Sequence, residues 1–380
     1  MSKIQLFPKA SDIAKFDPKD SSKILSSFMR SKPYGDLKVR LREDIGENFE
    51  LNWNAKMRYY HTGAHLQKVL INALNANISE YDKVIQTLVA LFHDVIYIPG
   101  RADNEERSAD YFVKYVNGDT EVIKEVERII RLTVYSGDVF DSATTTDSNF
   151  WNFFYYDTKA LWGASPNYVE LIQNEHQMFK EFQHFDFAAY KHGRSDKFLT
   201  GWMERFPHFR TSLGFLKEYL TQWRPKVAVF PGSFNPFTNG HLAVLREAEL
   251  IYDKVILAVG NNPQKSHDKA QAYQTLKDTL PFHQTIFYDG LLSSLVESLS
   301  KDQDVFIIRG CRGGEEFERE QRMAEIINDF VPNGAHLSII TVPGYNQEHV
   351  SSTMVRELES FGADTSAYVP TKNEVYNLPK

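Results

Sequence analysis

One cysteine, Cys311, stands in a chain of 380 residues. A single thiol excludes any disulfide within the chain, and a reducing, cytoplasmic setting is the expectation. Long apolar runs are missing too. No stretch reaches the length needed to span a bilayer. The opening residues, Met1-Ser-Lys-Ile-Gln-Leu-Phe-Pro8, lack the apolar core of a secretory leader, so no membrane association is expected. Positive charge is not in excess: 43 Lys and Arg face 50 Asp and Glu, a formal net charge of −7. That balance argues against a general nucleic-acid or membrane-surface role and leaves room for a local basic pocket. Internal repeats and low-complexity segments are absent.

What is present divides near Gln222-Trp-Arg-Pro225. Before it, strand-like alternation is scarce. Lys83 to Asp94 reads as one apolar helix, Glu121 to Arg131 shows a 3.6-residue period, and Tyr168 to Gln183 reads as a further helix behind Pro166. Residues 1–35, broken by Pro8, Pro18 and Pro33, say little. After Pro225, apolar strands and helices alternate. Strands are expected at Lys226–Phe230, Lys254–Val259, Gln284–Tyr288, Val305–Ile308 and His336–Val342, with a last helix beginning near Ser352. The expected architecture is an all-α domain at 1–222 and, at 226–380, an α/β Rossmann-like domain with a five-stranded parallel sheet covered on both faces.

The second half carries Pro231-Gly-Ser-Phe-Asn-Pro-Phe-Thr-Asn-Gly-His241 between a strand and a helix. In an open α/β sheet such a turn lies at the carboxyl ends of the strands, where ligands bind. Gly232 and Gly240 let the backbone approach a ligand, and Ser233 and Thr238 offer hydroxyls. The helix starting near His241 aims its N–H groups at a phosphate, and His241 can donate to a phosphate oxygen. Polar groups recur after the later strands: Gly260-Asn-Asn-Pro-Gln-Lys265, Asp289-Gly-Leu-Leu292, Arg309-Gly-Cys-Arg312, and Val350-Ser-Ser-Thr-Met-Val-Arg356.

The turn resembles the nucleotidyltransferase signature G-[ST]-F-[DN]-P-x-[TH]-x-G-H. With Thr238 and the later segments in order, residues 226 to about 370 resemble phosphopantetheine adenylyltransferases. That resemblance implies adenylyl transfer from ATP, with Mg²⁺, to 4′-phosphopantetheine, giving dephospho-coenzyme A and pyrophosphate. It implies that Ser233 and His241 contact the nucleotide phosphates and that Lys265 contacts the transferred phosphoryl group. It places Arg309 on phosphates with Arg312 nearby, and turns Glu320 toward the nucleotide. Gly232, Phe234, Thr238, Gly240, Gly310 and Arg356 build the nucleotide site. Ser351, Ser352 and Thr353 offer hydroxyls to ATP, and Gly290-Leu291-Leu292 lines the pantetheine arm. A homo-oligomer is also implied. Three departures are visible: Asn235 where Asp is commoner, Ser266 to Ala272 where an Arg-containing stretch is usual, and Gly313-Gly-Glu315 after Arg312. They leave another phosphomonoester, such as nicotinamide mononucleotide, open as acceptor.

In the first half, His61 and His65 stand four apart, read as one face of a helix. His93-Asp94 ends an apolar helix, and Asp157 follows the aromatic run 150–156. Imidazoles and carboxylates suit divalent metals, and a buried carboxylate needs a partner. The order His…His-Asp…Asp resembles the HD superfamily of metal-dependent phosphohydrolases. A narrower likeness lies in Tyr60–His65, Phe92–Tyr97 and Asp103-Asn-Glu-Glu-Arg-Ser-Ala109. It implies His65, His93, Asp94 and Asp157 as ligands to Mn, Fe, Zn or Mg, with His61 a ligand or a residue that orients one. Glu105 is an acid, a base or a helix cap; Arg58, Arg107 or Arg131 is a candidate grip for a substrate phosphate. A non-catalytic nucleotide sensor or an oligomerisation module is the alternative for this half.

Overall fold

A computed structural model describes residues 6–135, 147–163, 166–260, 269–311, 317–318, 320–322, 336–341 and 350–378, the residues 336–341 by their backbone. The chain divides into two compact units, Met1–Gln177 with Asn377–Lys380, and Met178–Tyr376. The division falls within the helix Tyr168–Glu181, whereas the change from helices to alternating strands and helices comes at Pro225.

The first unit is helical around one central element. Glu80–Phe92 is capped by Ser79, whose hydroxyl accepts from the Asp82 N–H at 3.0 Å. From Val84 to Phe92 every residue is buried, the mark of a helix apolar on all sides. Its two buried polar residues, Gln86 and Thr87, both make hydrogen bonds. Gln86 donates to the Asn149 carbonyl at 2.8 Å, and the Thr87 hydroxyl meets Tyr34 Oη at 2.8 Å. The helix runs out at His93, which carries the pair His93-Asp94 into the core. Around it lie Gly63–Asn75, Asn104–Tyr115, Thr120–Leu132 and the aromatic helix Ser148–Asp157. Two short strands, β1 (Arg40–Leu41) and β2 (Val116–Asn117), pair antiparallel, so the unit is not purely α as expected.

The second unit opens with helices through Arg210–Gln222 and then alternates. Its strands are β3 (Lys226–Gly232), β4 (Lys254–Gly260), β5 (Gln284–Tyr288), β6 (Asp304–Cys311) and β7 (His336–Thr341). All pair in parallel, in the order β5-β4-β3-β6-β7. Four strands are described with their side chains and the fifth, at the edge, by its backbone pairing. β3 and β4 are buried almost throughout, as expected of parallel strands covered on both faces. From β3 the chain steps outward to β4 and β5, then crosses back to β6 on the other side. The gap between the carboxyl ends of β3 and β6 is therefore a topological switch point, where an open α/β sheet receives its ligand.

At the opposite ends of the strands sits a buried hydrogen-bonded staple. His283 places Nε2 2.7 Å from Glu249 Oε1 and Nδ1 2.6 Å from Tyr376 Oη, which fixes the terminal helix Lys372–Tyr376. Every polar tip in it is satisfied inside the fold, and it lies away from the switch point.

Candidate functional sites

The turn after β3 is built by local contacts. A Cβ on Gly232 would lie 2.8 Å from the Phe234 ring, so only glycine admits that ring beneath the strand end. Phe234 itself takes φ +45°, which turns the chain sharply toward the helix Asn239–Ile251. Thr238 caps that helix in a reciprocal box with His241. The Thr238 N–H donates to His241 Nδ1 at 3.0 Å. In the neutral imidazole this places the proton on Nε2, the tautomer that can donate to an anion. The ring is held by Phe234 at 5.2 Å and by Phe237, stacked at 5.6 Å between centroids. His241 is thus oriented by packing and by a backbone N–H before any ligand arrives. Ser233, at the tip of the turn, is exposed.

A second helix N-terminus meets the first. Ser351 caps Ser352–Ser360, its hydroxyl accepting from the Met354 N–H at 3.1 Å. Ser352 Oγ donates to the Pro236 carbonyl at 2.9 Å, and Arg356 donates to the Asn235 carbonyl and to Thr353 Oγ1. A Cβ on Gly240 would sit 3.4 Å from the Val350 carbonyl. Of the residues read from the sequence as nucleotide contacts, Ser352 and Arg356 here tie the last helix to the turn, and Ser351 caps that helix. Two helix dipoles then act on one region, an arrangement that favours an anion.

Arg309, on β6, spans the switch point. Its Nη1 donates to the Pro231 carbonyl at 3.2 Å, and its fork grips Glu320 at 2.7 and 3.1 Å. Glu320, expected to face the nucleotide, is 5% exposed and holds Arg309. Gly310 is needed for packing, since a Cβ there would lie 2.5 Å from Val244. Tyr288, which sequence reasoning missed, closes the end of β5: its hydroxyl would meet a Cβ on Gly260 at 2.7 Å. Its place at the last residue of a strand was the available signal. Gly290 takes φ +102°, and Leu291 beside it is 68% exposed, an apolar surface ahead of the helix Leu292–Leu299. Lys265 and Arg312 lie outside the described residues.

In the first unit three helices converge. His65 comes from Gly63–Asn75, His93 from the end of Glu80–Phe92, and Asp157 from the end of Ser148–Asp157. One ligand atom from each lies within 4.8 Å of the others. His65 Nε2 is 2.9 Å from Asp157 Oδ1, and His93 Nε2 is 3.0 Å from Asp94 Oδ2. The His93 Nδ1 lies 3.1 Å from the Ala90 carbonyl, which assigns the proton to that nitrogen and turns the Nε2 lone pair toward the carboxylates. Nε2 is buried and makes no hydrogen bond. A lone pair facing carboxylates calls for a cation between them, and the donor set of imidazoles and carboxylates fits a divalent metal. Electrostatics agree. Burial works against a charge on His93, yet Asp94 and Asp157 override it and raise its pKa to about 9, so that a proton on Nε2 takes the cation's place when no metal is bound. Burial likewise opposes the Asp94 carboxylate, and His93, His61 and His65 hold it far below the usual carboxylate range.

Neighbouring groups set the cluster's geometry. The Tyr135 hydroxyl, another group sequence reasoning missed, donates to Asp157 Oδ2 at 2.8 Å, leaving Oδ1 toward His65. His61 corrects the sequence expectation: the helix starts at Gly63, so His61 precedes it, and its ring stacks on Tyr97 at 4.0 Å. Arg58 is not a phosphate grip. Buried over Trp53 and Tyr97, it donates to the carbonyls of His61, Asp94 and Val95 and fixes the backbone around the cluster. Arg131 is engaged by Glu106, Asp110 and Glu127 at the surface, and Arg107 is exposed. In the Asp103–Ala109 segment, Asn104 brackets the Ile98 N–H and carbonyl at 2.9 and 3.0 Å, and Ser108 does the same for Ile96 at 3.0 Å. Glu105 is pushed up, first by burial and then by Asp94, and partly held down by its own backbone, His61 and His93. A cavity of about 90 Å³ opens beside the cluster, with His65 and Asp157 in its wall.

Comparison with known proteins bears on the second unit. A family model described as cytidylyltransferase-like matches residues 229–358. The phosphopantetheine adenylyltransferase of Leuconostoc mesenteroides is 35% identical over 150 residues, covering 38% of this chain and 89% of that protein. The same enzyme from Chloroflexus aurantiacus is 34% identical over 150 residues, covering 38% and 90%. That from Cytophaga hutchinsonii is 32% identical over 149 residues, covering 39% and 98%.

Proposed function

The chain belongs, through its second half, to the phosphopantetheine adenylyltransferase family, and on that premise we propose that it moves the adenylyl group of ATP onto 4′-phosphopantetheine, giving dephospho-coenzyme A and pyrophosphate. The observation that carries the assignment of roles is the His241 tautomer, with Nδ1 spent on the Thr238 N–H beside two helix N-termini. An acceptor phosphate oxygen attacks the α-phosphorus, a new P–O bond forms, and the bond to the pyrophosphate oxygen breaks. The acceptor is already an anion, so no strong base is required; the work is positioning and charge stabilisation. His241 donates from Nε2 to the phosphates. Arg309, braced by Glu320, presents its guanidinium at the switch point, and Lys265 supplies a further cation. The Mg²⁺ that accompanies ATP neutralises charge on the phosphates. Gly290 and the exposed Leu291 suit the apolar pantetheine arm. The test is pyrophosphate release from ATP and Mg²⁺ with 4′-phosphopantetheine, run beside nicotinamide mononucleotide. Release with the pantetheine acceptor alone is expected; release with neither removes this acceptor assignment.

A second reading concerns the first unit and rests on the His65, His93, Asp157 convergence. We propose metal-dependent hydrolysis of a phosphoester there. His65, His93, Asp94 and Asp157 would hold a divalent cation, which supplies Lewis-acid chemistry when bound. Glu105 is the acid or base within reach of the cluster's field. Stoichiometric Mn²⁺ bound by the full chain and lost in His93→Ala is the expected result; a chain that binds none at this site ends the reading.

A further inference from the structure

The cavity beside the cluster is walled by three helical segments, each giving polar side chains to it. His65, Lys68 and Asn72 come from one helix, Asp157 from the end of another with Lys159 in the 3-10 turn that follows it, and Glu170 from a third. Lys68 and Asn72 stand four apart and share a helix face. Asn72 does two things at once. Its amide donates to the Tyr156 carbonyl at 3.0 Å, next to Asp157, and its Oδ1 accepts from Lys159 Nζ at 2.8 Å. One lysine is thereby fixed to the backbone that carries a cluster carboxylate. Lys68 Nζ lies 3.2 Å from Glu170 Oε1, with the lysine side chain 59% exposed. An exposed pair of this kind is worth little, so an incoming anion can take the place of Glu170 at small cost.

We propose that this cavity is the substrate-binding pocket of the first unit, and that Lys68 and Lys159 hold the phosphate of a small phosphomonoester against the His65–Asp157 edge of the cluster. The proposal rests on the metal-hydrolase reading and deepens it. Size and charge carry it. About 90 Å³ holds several waters, hence a phosphate group, while the rest of a larger ester stays toward the mouth. With a divalent cation at the cluster the pocket is net positive and suits an anion. Two amines around a phosphate also recognise charge without demanding one planar geometry, so many phosphomonoesters would be admitted at this end.

The test uses the full chain, inorganic phosphate as probe, and calorimetric titration with and without saturating Mn²⁺. Wild type is compared with Lys68→Met, Lys159→Met and the double substitution; phosphate bound in the second unit is common to all and cancels. Mn²⁺ affinity and the melting curve are read on the same samples. The expected result is Mn²⁺ binding within about twofold of wild type and phosphate affinity lower by about tenfold or more in the double variant, as for the loss of charge-assisted hydrogen bonds. Equal phosphate affinity in the double variant overturns the proposal, whatever the metal does. If wild type binds no Mn²⁺, the hydrolase reading fails, and the metal-free titration then judges the pocket alone: loss of phosphate binding in the double variant supports it and no loss overturns it.

Discussion

The two sites are made in opposite ways. In the second unit the site is a surface of backbone and capping groups: one turn, two helix N-termini and an arginine at the edge of a switch point. In the first unit it is a buried meeting of ionisable side chains from three helices. The turn is satisfied as it stands, since Thr238 and His241 cap each other and Ser351 caps its own helix. The cluster is not, since His93 Nε2 is buried without a hydrogen bond beside two carboxylates. A site of the first kind binds an anion through fixed dipoles that carry no net charge. A site of the second kind is held together by opposite charges and calls for a cation.

That contrast can be broken at its strongest points. His241→Ala should lower kcat of pyrophosphate release by about 10²–10³ with ATP binding little changed, as for loss of one preorganised donor; unchanged turnover would remove the role given to its Nε2. Asp157→Ala should weaken Mn²⁺ binding by about 100-fold while pyrophosphate release stays near wild type, which calorimetry and the coupled assay read separately. Glu320→Gln keeps its shape but loses charge on the Arg309 brace, and should cost about tenfold in kcat/KM.

Two weaker effects test the scaffolds. Asn104→Ala leaves the Ile98 N–H and carbonyl without their partner and should destabilise the first unit by about 1–3 kcal/mol in urea unfolding. Lys254 is 1% exposed, and burial depresses its pKa to about 7 against the opposing pull of Asp186 and Asp302. The unfolded chain then holds more protons than the folded one between about pH 7 and 10.5, so this group's contribution to stability rises with pH across that window. Lys254→Met should flatten that rise; a denaturation series from pH 7 to 10 that keeps its slope would contradict this.

Legibility followed the same division. The turn, the strand order of appearance and the polar groups after each strand were readable because the transferase site is laid out in contiguous segments, each obeying local rules of turns and caps. Glu320 on Arg309 was not readable. Eleven positions apart in number, they face each other only because the sheet and the helix after it set that distance. His65, His93 and Asp157 were legible as residue types, yet the Tyr135 hydroxyl on Asp157 and the burial of Arg58 under Trp53 and Tyr97 were not, since neither follows a periodic pattern. The misplacement of His61 had a local cause: Thr62 caps the helix, its side chain accepting from the Ala64 N–H, and cuts His61 off from it.

By itself the sequence determined the helical and alternating halves, the nucleotidyltransferase turn and the metal-suited residue types, because hydrophobic period, capping and turn chemistry act over a few neighbours. Tertiary structure alone decided which side chains meet: the β3–β6 switch point under Arg309, the Glu320 brace, the direction of the His93 lone pair and the cavity beside His65. Those depend on the order of strands in a sheet and on the packing of helices around Glu80–Phe92, where burial raises the free-energy cost of every polar group left without a partner.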